Sequence, residues 1–103
     1  MIKQVYSLEF KEEVGNELTV VDFFTDLCSP CQMLSAILEE LESEMQEKVK
    51  FLKVDINKSV DLANKFKINS VPTLIIFENG QPIDTLIGFL HKEKLKEKIE
   101  SYL

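Results

Sequence analysis

The sequence predicts an α/β protein: a three-layer α/β/α sandwich with a mixed five-stranded central sheet and helices on both faces. Three observations predict it. β-rich runs alternate with helical apolar spacings along the first part of the chain, which favours parallel strands joined by helical crossovers. Asn79-Gly80 separates two later β-rich runs, which reads as a hairpin and adds antiparallel strands. The length of 103 residues fits one compact domain over 1–103 and leaves little for a second. No internal repeat or linker interrupts the pattern.

The elements follow in order. Residues 2–6 read as a short strand. Residues 8–14 carry Leu8, Phe10 and Val14 at helical spacing, closed by Gly15-Asn16. Residues 18–24 are a β-rich run with one polar interruption, Asp22. A long helix is expected over 29–46, because Met33, Leu34, Ile37, Leu38, Leu41 and Met45 fall at three- and four-residue intervals. Its outer face is acidic, with Glu39, Glu40, Glu42, Glu44 and Glu47. Residues 49–54 return to a strand, and Asp55-Ile56-Asn57 make a turn. Ser59 can cap a short helix over 60–66, with Asp61 favourable in its first turn. An apolar strand over 73–77 follows Val71-Pro72, and a last strand over 83–87 is broken by Gly88. The final helix, 92–102, is amphipathic on Leu95, Ile99 and Tyr102.

Composition excludes several classes. Hydrophobic residues make up 45% and charged residues 29%, the balance of a soluble globular chain. The net charge is −6 and Arg is absent, which argues against nucleic acid as a partner, since phosphate binding needs clustered positive charge. The densest Lys group alternates with Glu near the C-terminus and reads as a solvated helix face. The N-terminus, with Lys3, Glu9, Lys11, Glu12 and Glu13, lacks the apolar stretch of a signal peptide. The longest apolar runs, such as Leu74-Ile75-Ile76-Phe77, are too short for a bilayer. The expected location is therefore the cytoplasm, with no membrane association. There thiols are kept reduced, so a structural disulfide explains the two cysteines poorly.

Cys28-Ser29-Pro30-Cys31 lies just beyond a strand and opens the long helix, the place where sites form in open α/β sheets. Unpaired N–H groups and the partial positive charge at a helix start stabilise a thiolate on Cys28. The spacing brings the second thiol within reach, so a disulfide can close and open, and Pro30 fits a first turn that needs no donor there. Cys28 should be the exposed attacker and Cys31, one turn in, the more buried resolving thiol. Half a metal site is the competing explanation. A tetrahedral zinc needs four ligands, no second pair exists, and the only histidine, His91, sits in a separate segment, so no metal is expected.

Asp22 interrupts a run that should be buried on both faces. A carboxylate there is costly unless paired or protonated, so its pKa should rise. The strand-to-helix turn can place it beneath the sulfurs, where it accepts the proton of Cys31 directly or through water. An Asp at a frayed strand end is the alternative. Lys53 shares a strand face with Val49 and Phe51 and is a partner for Asp22, or else it snorkels to solvent. At Val71-Pro72 a strand-leading trans proline is the simpler local alternative, since only about 5–6% of X–Pro bonds are cis, and the local sequence does not decide between the isomers.

Taken together these residues resemble the thioredoxin family over almost the whole chain. Val20-Val21-Asp22-Phe23-Phe24 before Cys28-Ser29-Pro30-Cys31 is similar to the family's strand and active-site segment. Val71-Pro72-Thr73 matches its cis-proline segment, and Phe77-Glu78-Asn79-Gly80 with Ile87-Gly88-Phe89 its late hairpin and following glycine. The resemblance implies a protein disulfide reductase, with Cys28 as nucleophile, Cys31 resolving, and Asp22 and Lys53 as the buried acid and its partner. It further implies that Pro72 is cis and that the Val71 backbone pairs with substrate as an added strand. Leu27, Ser29, Pro30, Ile87, Gly88 and Phe89 would complete the groove. The implied partners are protein disulfides and a thioredoxin reductase as electron donor, with no cofactor in the chain and a monomeric state.

Three departures stand out. Leu27 replaces the family's usual Trp, Phe24 stands where an aromatic, often Trp, occurs, and Ser29 replaces Gly. The competing functions are a glutathione-linked, glutaredoxin-like protein, a partner-specific oxidoreductase, and a redox-independent binding module on the same scaffold. The first usually carries an aromatic between the cysteines and a Gly-Gly-Asp-like segment, and neither is here.

Overall fold

A computed structural model describes residues 1–103. The elements are β1 (Lys3–Gln4), α1 (Phe10–Val14), β2 (Thr19–Phe24), α2 (Ser29–Met45), β3 (Lys50–Asp55), α3 (Val60–Lys65), β4 (Thr73–Glu78), β5 (Gln81–Ile87) and α4 (Lys92–Glu100). They form a five-stranded sheet of order β1-β3-β2-β4-β5, so β2 is central. β1, β3 and β2 run parallel, while β4 is antiparallel to both β2 and β5. The mixed sheet expected from the alternation and the hairpin is the one observed.

Strand alternation divides the core into two layers. Val20, Phe51, Leu74 and Ile76 face Leu34, Leu38, Leu41 and Met45 of α2 and Leu95 and Ile99 of α4. Val21, Phe23, Leu52, Val54, Ile75 and Phe77 face Phe10 and Val14 of α1 and Leu62 of α3. In this second layer Phe77 meets Phe66 and Phe10 edge-on, with ring centroids 5.4 and 5.7 Å apart. Edge-to-face geometry suits the ring quadrupoles.

Asn79 and Gly80 both have positive φ, 53° and 77°, the pairing a two-residue hairpin turn requires. That tight turn lets β5 begin at Gln81, two residues before the expected start. A register shift beside Ile76 and Phe77 brings Pro82 opposite Phe77, and Pro is accommodated because β5 is an edge strand.

Several expectations are corrected. The first strand shrinks to Lys3–Gln4, an edge with β3 as its one neighbour. α1 begins at Phe10, and Leu8 is fully exposed, because Phe10 and Val14 alone complete the buried stripe. Met33 is 57% exposed; the stripe of α2 runs through Leu34, Leu38, Leu41 and Met45, one helical position around from it. The acidic face of α2 is partly a seam with α4: Lys92 contacts Glu40 and Glu44 at 3.2 and 2.5 Å, and Lys96 reaches Glu44 at 3.0 Å. α4 ends at Glu100, yet Tyr102 still donates its hydroxyl to Asp84. No helix is long and apolar enough to cross a membrane.

Candidate active site

The site lies at the end of the sheet where β2 stops at Phe24 and the chain turns into α2. Hydrogen bonds tie this turn to the next crossover. Ile56 donates its backbone N–H to the Phe24 carbonyl at 3.0 Å, and the Asn57 amide donates to Thr25 Oγ1 at 2.8 Å. Cys28 then occupies the N-cap of α2 in extended conformation. Its sulfur accepts the Cys31 backbone N–H at 3.2 Å, as a capping oxygen does elsewhere. No acidic residue sits in the first helical turn, and Pro30 takes a position there that needs no donor. An N-cap sulfur that receives a backbone donor and the helix dipole is favoured as a thiolate.

Cys28 and Cys31 form a disulfide, with Cα atoms 5.2 Å apart. Cys31 is 3% exposed, whereas Cys28 is half-buried and its neighbours Leu27, Ser29 and Pro30 are exposed. Leu27 in particular projects fully into solvent.

Asp22 is in the central strand, opposite Lys53 on one side and Leu74 on the other. Parallel partners present their side chains to the same face. The carboxyl is buried, and its Oδ1 has no hydrogen-bond partner. Burial raises its pKa to about 7, and the positive charge of Lys53 opposes that rise in part. Lys53 makes no ion pair with Asp22; its ammonium lies over the Phe24 ring, 5.7 Å from the centroid. Asp22 shares a pocket of about 210 Å³ with Phe24, Asp26, Cys31, Gln32 and Ser35. Asp22 and the buried Cys31 thus line one pocket.

The Val71–Pro72 peptide is cis, as the family resemblance implies, where local base rates alone favour trans. Pro72 is buried and Val71 half-exposed. The register explains how this segment reaches the site: Thr73, the next residue, lies opposite Phe23 of β2 and Ile87 of β5. Gly88 then donates its N–H to the Pro72 carbonyl at 2.9 Å. Its φ of +91° needs glycine for conformation rather than space, since an added Cβ would meet nothing within 4 Å. Ile87 is exposed and Phe89 half-buried, its ring 5.1 Å from that of exposed His91.

Asp26, Gln32 and Ser35 are additions that the sequence reading did not single out. Ser35 had a signal: it is polar, one helical turn beyond Cys31, beside the apolar stripe. Gln32 had none, and its amide closes the loop by donating to the Asp26 carbonyl at 3.3 Å.

A redox-active dithiol at the carboxyl end of a central strand, on a mixed α/β sheet, defines a thiol–disulfide exchange protein. The thioredoxin family model matches residues 1–101. The chain is 38% identical to the thioredoxin of Staphylococcus saprophyticus, over 99% of this chain and 98% of that one. It is 37% identical to the thioredoxin of Staphylococcus aureus over the same shares. The chain belongs to the thioredoxin family and is a thiol–disulfide oxidoreductase acting through Cys28 and Cys31.

Proposed function

We propose that this chain is a general protein disulfide reductase of the cytoplasm, working as a monomer and regenerated by a thioredoxin reductase. The observation that carries the assignment of roles is the asymmetry of the pair. The Cys28 sulfur caps the helix at the surface, and Cys31 is 3% exposed beneath it. Cys28 as thiolate attacks a substrate disulfide and forms a mixed disulfide. Cys31 then attacks Cys28 and releases the reduced substrate. Asp22 accepts the proton of Cys31; their shared pocket supports this. Lys53 favours the ionised form of Asp22 from its place in the neighbouring strand. Leu27, Ser29 and Pro30, together with Val71, Pro72, Ile87, Gly88 and Phe89, form the docking groove. The exposure of Leu27 and Ile87 supports an apolar contact there, and the Val71 backbone pairs with an extended substrate.

The test is disulfide reduction by the purified protein, with a thioredoxin reductase and with glutathione as alternative electron sources. Turnover is expected with the reductase and is lost in Cys28→Ser. Turnover with glutathione alone would move the chain to the glutaredoxin-like alternative.

A further inference from the structure

We infer that Ser35 is a positioning residue for proton transfer: its hydroxyl, on the wall of the pocket shared by Asp22 and Cys31, holds the water that links the two. This inference rests on the proposed role of Asp22 as proton acceptor. Ser35 follows Cys31 by one turn of α2 and so projects toward the same side of the helix. It lines the 210 Å³ pocket together with Asp22, Cys31, Asp26 and Gln32. The enclosed Asp22 Oδ1 has no protein partner, and a buried carboxylate oxygen demands one. The pocket exceeds the roughly 30 Å³ share of a water and offers the polar walls that water needs. Ser is also a poorer helix former than Ala, so its presence inside α2 is not explained by helix stability.

The charges around Asp22 are few. Lys53 faces it from β3 and favours ionisation. β4 contributes the apolar Leu74, and α2 contributes Cys31, Gln32 and Ser35 without fixed charge. Asp26, from the loop after β2, is solvent-exposed and screened. In this reading, water held by Ser35 links carboxylate and thiol across the shared pocket. In the resolving step the Cys31 S–H proton passes through it to Asp22 Oδ1. The sulfur electron pair forms the Cys31–Cys28 bond, and the bond from Cys28 to substrate breaks. Its electron pair leaves on the substrate sulfur, which takes a proton from solvent. The dithiol is oxidised by two electrons and the substrate disulfide is reduced by two.

The experiment loads Cys28 of the reduced protein with thionitrobenzoate and follows release of the chromophore, a step performed by Cys31, from acid to alkaline pH. Ser35→Ala should move the acid limb of the rate profile up by about one pH unit and slow release near neutral pH about fivefold. At alkaline pH its rate should rejoin that of the parent. Ser35→Thr, which keeps the hydroxyl, should retain the parent profile. A parent-like Ser35→Ala profile, with the limb moved to higher pH in Asp22→Asn, overturns the role of Ser35 and leaves Asp22 standing. Ser35→Thr behaving as Ser35→Ala overturns it also. An unaltered limb in Asp22→Asn removes the role of Asp22, and that of Ser35 with it.

Discussion

In the proposed mechanism Asp22 sets stability against chemistry at a single residue. Its folded pKa of about 7 lies above the ordinary value of 3.8, with burial as the main cause. A carboxyl with a raised folded pKa binds its proton more tightly in the fold than in the unfolded chain. The stabilisation is fully present below the unfolded pKa and is lost as pH rises toward and through the folded one. The window here runs from 3.8 to about 7. Asn cannot ionise, so Asp22→Asn should gain on the parent across that window, by up to about 4 kcal/mol at its upper end. Urea unfolding of the oxidised forms at stepped pH measures the gain; parallel pH profiles for the two proteins would contradict it. The same variant should resolve mixed disulfides more slowly near neutral pH. Asp22 was legible in the sequence because a charge inside an apolar run is conspicuous. The course of Lys53 was not, since strand periodicity gives the face of a side chain and not whether its ammonium meets a carboxylate or an aromatic ring. For the thiols, brief alkylation of the reduced protein near neutral pH, mapped by mass spectrometry, should label Cys28 first. Preferential labelling of Cys31 would reverse their order.

At the scale of elements, α2 both builds the core and presents the cysteines. Leu34, Leu38, Leu41 and Met45 hold the helix on the sheet, and that packing fixes where its first turn falls. Leu38→Ala should cost about 2–5 kcal/mol in urea unfolding, the range for a truncated buried Leu. Met33→Ala should change stability by less than about 0.5 kcal/mol, because Met33 lies off the stripe. Comparable losses at both positions would contradict the orientation of the helix. The apolar spacing that announced α2 also admitted Met33, and at α1 it admitted Leu8. Periodicity marks a band of positions, and only the packed sheet decides which edge of the band is covered. The hairpin was more legible, since the Asn79-Gly80 turn is specified by local backbone conformation.

For the whole molecule, the site is a product of topology. β2, β4 and β5 bring Phe24, Pro72 and Gly88 to one end of the sheet although they are distant in sequence. Local signals placed the cysteines, but the cis state of Pro72 followed only from family resemblance, because the isomer depends on contacts made after folding. The proposed docking surface at this end carries Leu27 and Ser29, both exposed and both departures from the family's usual residues. Leu27→Trp with Ser29→Gly should raise kcat/KM for reduction by an unrelated thioredoxin reductase. An unchanged or lower value would mean that these two residues do not restrict partner choice.

The most direct test of the two-step dithiol mechanism is a matched pair of traps. Cys31→Ser keeps the attacking thiol and removes the resolving one, and Cys28→Ser does the reverse. After incubation with disulfide-containing proteins and non-reducing capture, Cys31→Ser should hold covalent adducts that dithiothreitol releases, and Cys28→Ser should hold almost none. Equal adducts from both variants, or none from Cys31→Ser, would contradict attack by Cys28 and resolution by Cys31.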